Sequence, residues 1–123
     1  MFEVGKEGQS IHDVWIEDGI AYSSNWKDGV YLVDVGNGIA GGSPSNPVAF
    51  ADYTYASGAN HAAFPFKSKS TGTFYVVLCD EIFPNGVDLT EPSITAGFCH
   101  FVDFSDLDNP VAVSYTHLRA HET

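Results

Sequence analysis

The sequence predicts an all-β protein made of two four-stranded antiparallel units, and three features of the chain support this fold class. Four short apolar strand patterns follow one another early in the chain, and four comparable patterns recur in the same order later. Asp-Gly pairs, which favour tight hairpins, separate the early patterns. The apolar residues do not recur with the 3.6-residue period of a helix.

The first unit covers residues 11–55. Its strands are predicted at residues 12–16, 20–24, 29–35 and 46–50. Asp18-Gly19 joins the first two strands, and Asp28-Gly29 leads into the third, where apolar side chains occur on both faces. Asn46-Pro47 starts the fourth strand, and an edge strand tolerates proline because one row of its N–H groups is unpaired.

The second unit covers residues 56–113 and repeats this order. Its strands are predicted at residues 61–64, 73–78, 97–104 and 109–113, with an insertion at residues 79–96. His61 stands 49 positions after His12, and the Asn-Pro-Val that starts the last strand of the first unit recurs at Asn109. Four short strands per unit with such a period are typical of the blades of a β-propeller.

A propeller closes with roughly four to eight blades, so two blades predict a fragment of a longer protein. Residues 1–10 are then the end of a preceding blade and its connector. Residues 114–123 contain the only arginine of the chain and resemble a translated sequencing-adapter tail. We therefore expect this tail to be artefactual, and we exclude its histidines from any predicted site. The alternative is that Thr116-His117 starts a third blade.

The third strands identify a family resemblance. The matching segments are Val30-Tyr31-Leu32-Val33-Asp34-Val35 and Phe101-Val102-Asp103-Phe104. Together with the Pro-Val that starts each following strand, they resemble the LVIVD-repeat family over roughly residues 10–113. The resemblance implies a β-propeller of a secreted or cell-surface bacterial or archaeal protein. It implies no particular activity, and the insertion departs from the minimal repeat.

Charge excludes some partners. The formal net charge is −11, with 16 acidic residues against five lysines and arginines, which disfavours binding to nucleic acid or to anionic membrane surfaces. No segment approaches the ~20 apolar residues that a membrane-inserted helix needs. The remaining partner classes are a protein, a glycan or a small molecule, none of which the sequence specifies.

A divalent metal is one possible cofactor. His12 and His61 open the first strand of each unit, and first strands line the channel of a propeller, so the two imidazoles are expected to converge there. Asp13 is a candidate ligand, or a partner that orients an imidazole. The alternative is that each histidine hydrogen-bonds the neighbouring blade. His100, inside a strand, is expected to be a packed or hydrogen-bonded sheet residue.

The insertion offers two further features. If the flanking strands pair, Cys79 and Cys99 fall roughly opposite each other and could form a disulfide at the base of the loop; otherwise they are two buried thiols. Four carboxylates could bind a ligand such as Ca²⁺ or simply be solvated. They are Asp80, Glu81, Asp88 and Glu91.

Two smaller expectations concern aromatic residues and turns. Four aromatic residues either form an exposed patch for a glycan or a protein, or pack between blades. They are Trp15, Trp26, Tyr53 and Tyr55. Asp34 and Asp103 end the third strands and are expected to accept hydrogen bonds from the N–H groups that follow.

The motifs of nucleophilic and nucleotide-dependent enzymes are missing from the sequence. It therefore favours a non-catalytic binding scaffold. The alternatives are a metal-dependent hydrolase or oxidase with its histidines at the channel mouth, and a purely structural spacer.

Overall fold

A computed structural model describes residues 2–5, 10–55, 59–80 and 98–117. Eight strands follow one another along the chain. They are β1 (Asp13–Glu17), β2 (Ile20–Ser24), β3 (Val30–Asp34), β4 (Val48–Tyr53), β5 (Asn60–Lys67), β6 (Phe74–Asp80), β7 (Phe98–Asp103) and β8 (Val111–His117).

The strands form two antiparallel sheets with the simplest possible connectivity. Sheet 1 has the order β1-β2-β3-β4, and sheet 2 has the order β5-β6-β7-β8. The prediction of an all-β chain with two four-stranded antiparallel units is therefore confirmed. The described part of the chain contains no helix that could cross a membrane.

Local turn chemistry explains the first hairpin. Only Asp18 and Gly19 separate β1 from β2, and both have positive φ angles of 54° and 75°. Two successive positive φ angles match the right-handed twist of paired strands, and Asp-Gly adopts them at little cost. The hairpin thus forms where the sequence predicted it.

The two sheets share their register at the third and fourth strands. Asp34 is opposite Val48 in sheet 1, and Asp103 is opposite Val111 in sheet 2. A β-bulge interrupts both pairings one step further along, between Leu32 and Val33 and between Phe101 and Val102. Both fourth strands begin directly after a proline, as expected for edge strands.

The core lies between the two sheets. Sheet 1 contributes Tyr22, Val30, Leu32 and Ala51, and sheet 2 contributes Ala63, Val76, Leu78, Val102 and Phe104. Each of these residues is less than one tenth exposed. Because one cluster draws on both sheets, each sheet covers an apolar face of the other.

Several strand boundaries differ from the sequence-based ones, and β4, for example, ends at Tyr53 and not at residue 50. β5 runs to Lys67 and includes Pro65, which fits because β5 is an edge strand. β6 contains Cys79 and Asp80, which the sequence had assigned to the insertion. β8 continues to His117, so its pairing with β7 crosses the predicted boundary at residue 113. The artefactual origin of the tail stays a prediction.

Candidate functional site

The two sheets are joined at one end by a backbone bridge. The Trp26 N–H donates to the Asn60 carbonyl over 3.3 Å, and the Asn60 N–H donates to the Trp26 carbonyl over 2.9 Å. This bridge connects the β2–β3 turn of sheet 1 to the start of β5 in sheet 2. Strands β1 and β5 also contact each other beside it.

The turn that carries Trp26 is tightly constrained. The Asn25 N–H donates to the Gly29 carbonyl over 2.8 Å, and Gly29 has a φ of 83°. A Cβ atom at Gly29 would collide with the backbone of Tyr53, so only glycine fits there. Trp26 itself has a φ of 54°, which is unusual for a bulky residue and is maintained by the bridge to Asn60.

Three rings meet at this bridge, and we call them the His–Trp cluster: His12, Trp26 and His61. The His12 and His61 ring centroids are 4.4 Å apart, with planes tilted by 47°. The indole of Trp26 meets His12 edge-on, with centroids 4.7 Å apart. Both histidines are exposed and Trp26 is half-buried, so the cluster faces solvent. The structure thus brings together the two histidines that the sequence singled out.

The contact between the two imidazoles bears on the predicted metal site, because ligands of one ion must converge on it with metal–nitrogen distances of about 2.1 Å. However, no group of three or more His, Cys, Asp or Glu side chains that could hold a metal occurs among the described residues. Asp13 is exposed on β1 and does not complete such a group. The metal site stays a prediction.

Two residues whose backbones bind residues of the cluster each carry a buried polar side-chain atom. The Ser24 hydroxyl and the Asn60 side-chain carbonyl oxygen are buried without a hydrogen-bond partner in the described structure. The Ser24 carbonyl accepts the His12 N–H over 2.7 Å, and Asn60 forms the bridge to Trp26. Neither residue was singled out from the sequence, because nothing in a strand pattern marks an unsatisfied polar atom.

A second polar group is buried between the sheets. The Tyr55 hydroxyl donates to Asp80 Oδ1 over 2.6 Å, and His100 Nε2 lies 3.2 Å from Asp80 Oδ2. The Tyr55 and His100 rings are in contact, with centroids 4.5 Å apart. Burial, reinforced by the hydrogen bond to Asp80 and its charge, raises the pKa of Tyr55 far above its ordinary range. His100 is a hydrogen-bonded sheet residue, as the sequence indicated.

The contacts of Asp80 correct one of the four carboxylates that the sequence analysis assigned to the insertion. Asp80 is a buried residue of β6 that engages Tyr55 and His100, so it does not project from an exposed loop. Glu81, Asp88 and Glu91 lie outside the described residues. Ligand binding by this loop stays a prediction.

The two cysteines face each other across β6 and β7. Cys79 is directly opposite Cys99, and their sulfur atoms are 2.7 Å apart. Both are thiols in the structure. Burial, followed by the hydrogen bond with Cys99, raises the pKa of Cys79 to about 12, so the protonated thiol dominates at neutral pH. The opposition of the two residues was predicted from the sequence, and the disulfide itself stays a prediction.

Asp34 is enclosed by backbone amides. Its fully buried carboxylate accepts N–H bonds from Gly36, Gly38, Ala40 and Gly42 at distances of 2.8–3.1 Å. Burial opposes ionisation, but the four donors outweigh it and hold the pKa of Asp34 far below its ordinary range. The predicted turn-capping role of Asp34 is confirmed.

The four aromatic residues proposed as a patch separate into two groups. Tyr53 stacks on Tyr55 with centroids 5.9 Å apart and meets Phe104 edge-on, so both tyrosines pack against the core. Trp15 is 49 % exposed and contacts Phe64 across the two first strands. Only the two tryptophans therefore remain near the exposed surface of β1 and β5.

No protein-family model, no curated protein and no solved structure matches this chain.

Proposed function

We propose that this chain is a non-catalytic binding scaffold whose ligand lies against the His–Trp cluster. The observation that carries the proposal is the meeting of His12, Trp26 and His61 at a solvent-facing joint to which both sheets contribute. Backbone hydrogen bonds fix the residues that carry these rings, so little backbone conformational entropy is lost when a ligand binds.

The ligand class follows from the chemistry of the cluster. Indole and imidazole rings offer flat surfaces for the apolar face of a sugar or of another small ring. A glycan or a small molecule with one apolar face fits these surfaces. The unpartnered oxygens of Ser24 and Asn60 are buried in the fold and are not accessible to such a ligand.

The strongly perturbed groups of the protein support a non-catalytic role. Perturbed pKa values often mark catalytic residues. Here the Asp34 carboxylate is occupied by four backbone amides, and the Tyr55 hydroxyl is bound to Asp80 in the interior. Both groups are bound by other residues of the fold. Asp80 is the cross-strand partner of Asn60, which forms the bridge to Trp26, so the Tyr55–Asp80 pair lies behind the cluster and supports it.

The proposal includes the architecture and location that the LVIVD resemblance implies. Two sheets with a shared register and a bulge at the same place support successive blades of a propeller. The scaffold would then belong to a secreted or cell-surface protein. A disulfide between Cys79 and Cys99, whose sulfur atoms lie 2.7 Å apart, would fit the oxidising compartment of such a protein.

Fluorescence of single-tryptophan variants tests the binding proposal. Trp15→Phe leaves Trp26 as the only tryptophan, and Trp26→Phe leaves Trp15. We expect a panel of neutral oligosaccharides, including chitotetraose and cellotetraose, to shift the emission of Trp26 but not that of Trp15. The shift should disappear when His61→Ala is added. Unchanged Trp26 emission across the panel would argue against glycan binding at the cluster.

The second candidate is a metal-dependent hydrolase or oxidase, which the 4.4 Å spacing of the two imidazole rings favours. Titration of the wild-type chain with zinc chloride separates it from the first candidate. One bound zinc ion per chain, lost equally in His12→Ala and His61→Ala, would support the metal site. Asp13→Asn then shows whether that carboxylate contributes, by comparison with Asp52→Asn on the other side of the sheet.

A further inference from the structure

Sheet 2 contains a β-bulge where its first strand begins. Ala62 of β5 pairs with Cys79 of β6. The next residue of β6, Asp80, pairs with Asn60 and leaves out His61. His61 is therefore the extra residue of the bulge, a position at which a strand can redirect a side chain.

The bulge decides which of two neighbouring residues faces solvent. Asp80 lies on the same face of β6 as Leu78, which belongs to the core. Without the extra residue, His61 would pair with Asp80 and point into the protein, because a one-residue slip moves each side chain to the other face. With the bulge, Asn60 occupies that place and is fully buried, while His61 is exposed. The bulge therefore turns His61 toward the solvent-facing cluster and toward His12.

The side chain of Asn60 spans this bulge. Its Nδ2 donates to the Ala62 carbonyl over 3.0 Å, and the Cys79 carbonyl oxygen lies 3.5 Å from the same nitrogen. Ala62 and Cys79 are the first regular pair after the bulge. Because a carbonyl oxygen can only accept a hydrogen bond, the amide nitrogen must be the atom that faces these two groups. The Asn60 amide thus ties the start of β5 to the pair beyond His61.

The backbone of Asn60 binds the third member of the cluster. Trp26 has a φ of 54°, and both its N–H and its carbonyl are bonded to Asn60. One buried residue therefore contacts the turn that carries Trp26 and the bulge that carries His61. Its Oδ1 is buried without a partner in the described structure, which lowers stability. The side chain of Asn60 thus contributes more to the geometry of the joint than to the stability of the fold.

We propose that Asn60 is the positioning residue of the His–Trp cluster. Its side-chain amide stabilises the bulge that turns His61 outward, and its backbone fixes Trp26 at the same joint. The positions of the rings follow from the fold alone, whereas the consequence for ligand binding rests on the proposed function. A chain without this amide keeps both sheets but no longer fixes His61 beside His12.

Nuclear Overhauser spectra of the Trp15→Phe chain test the ring positions directly, because Trp26 is then the only indole. We expect cross-peaks from the His12 ring to the His61 and Trp26 rings, whose centroids lie 4.4 and 4.7 Å away. Adding Asn60→Ala should abolish the cross-peak between the two histidines. It should also speed hydrogen exchange at the Trp26 amide by roughly tenfold, because the acceptor of that amide is no longer fixed.

Two control variants separate positioning from a general loss of stability. Ile11→Ala changes a half-exposed residue that precedes His12 as Asn60 precedes His61. Asp34→Asn destabilises sheet 1 at the end of β3 that is far from the cluster. Both controls should keep the cross-peak between the two histidines. Asn60→Ala should lower Tm no more than Asp34→Asn does, because it removes the unpartnered oxygen together with the donor.

Oligosaccharide binding keeps this inference apart from the proposed function. If chitotetraose or cellotetraose shifts the emission of Trp26 in the Trp15→Phe chain, the shift should be lost when Asn60→Ala is added. A shift that persists in Asn60→Ala would overturn the positioning role. If neither chain responds and only Asn60→Ala loses the cross-peak, the binding proposal fails while the positioning role of Asn60 is supported.

Three further results would overturn the inference. A cross-peak between the histidines that persists in Asn60→Ala would show that the backbone alone sets the bulge. Its loss in Asp34→Asn as well would indicate general destabilisation. If Asn60→Ala does not fold, the wild-type chain still decides, because the buried Asn60 amide should exchange its hydrogens at least about tenfold more slowly than the exposed Asn109 amide. Equal exchange rates would show that the Asn60 amide is not bound.

Discussion

Sheets 1 and 2 have matching strands, yet they differ at the third strand. The aspartate that ends this strand has different hydrogen-bond donors in the two sheets, and the sheet face beside it is buried to different extents. In sheet 1, Asp34 is buried and accepts four backbone N–H groups, and Leu32 is packed against sheet 2. In sheet 2, Asp103 accepts the Ser105 N–H over 2.8 Å and is half-buried, as is Phe101. The sequence pattern of a strand therefore sets which residues pair with each other. The connector after the strand and the neighbouring sheet decide how deeply each side chain is buried, and hence how much it stabilises the fold.

Replacing the residue two positions before the capping aspartate by alanine should have the largest effect on stability. Leu32→Ala removes a fully buried side chain and should lower the free energy of unfolding by about 2–5 kcal/mol. Phe101→Ala removes a larger but partly exposed side chain and should cost about 1–2 kcal/mol. Urea denaturation at micromolar protein concentration measures both. Equal losses would show that the two faces are equally covered.

The second largest effect concerns a disulfide that can form only in sheet 2. Cys79 faces Cys99, whereas the matched pair of sheet 1 is Ser24 and Val30. Oxidised glutathione should convert the two thiols to a disulfide while it is itself reduced to two glutathione molecules. Closing this loop should stabilise the fold by about 3 kcal/mol in the chain-entropy model.

Thiol titration and thermal unfolding check the disulfide prediction. Oxidised wild type should lose both reactive thiols and unfold at a higher temperature than the reduced protein. Cys79→Ser should show no such difference between oxidised and reduced samples. Two thiols that persist after oxidation would contradict the prediction.

The third effect compares the two capping aspartates. In Asp34→Asn, one carboxylate oxygen becomes an NH₂ group, so some of the four buried N–H donors lose their acceptor. We expect Tm to fall by about 10 °C or more, and by about 5 °C or less in Asp103→Asn. Differential scanning calorimetry measures both, with Asp52→Asn as an exposed control on β4. Equal Tm values for wild type and Asp34→Asn would refute the capping role.

The smallest effect is the pH dependence that follows from the same two carboxylates. Burial disfavours the charged form of Asp34, but its four N–H donors hold its pKa well below the ordinary value. The pKa of Asp103 is lowered as well, by hydrogen bonds from a single residue, Ser105. The unfolded chain, with aspartate pKa values near ~3.9, then takes up protons first as the pH falls. This stabilisation is complete above about pH 5 and is lost progressively as the pH falls towards the lowered pKa values of the folded protein.

Thermal unfolding between about pH 6 and pH 2.5 tests this dependence. The Tm of wild type should fall more steeply below pH 4 than the Tm of Asp34→Asn, and Asp103→Asn should lie between them. Parallel curves for all three proteins would show that neither carboxylate is held ionised by the fold.

Several elements could be predicted because their causes are local. The Asp18-Gly19 hairpin follows from two residues that tolerate positive φ angles, and the fourth strands begin after prolines that suit an edge. The caps at Asp34 and Asp103 follow from the ability of an aspartate to accept the N–H two residues later. Each depends on a handful of consecutive residues.

The candidate site was only partly predictable. The 49-residue spacing of His12 and His61 indicated that their rings would converge, and their centroids are 4.4 Å apart. The position of Trp26 against His12 was not predicted, because it depends on a positive φ that the bridge to Asn60 enforces. The buried oxygens of Ser24 and Asn60 left no trace in the sequence, since burial is a property of the packed sheets.

By itself the sequence determined the class of fold, the order of the strands, the hairpin turns and the pairing of Cys79 with Cys99. These depend on side-chain alternation, backbone preferences and turn chemistry, which act between near neighbours. Only the tertiary structure decided that Asp34 is enclosed by four amides and that Asp80 lies buried between Tyr55 and His100. Those outcomes arise when one sheet packs on another and removes chosen groups from water, which no local pattern specifies.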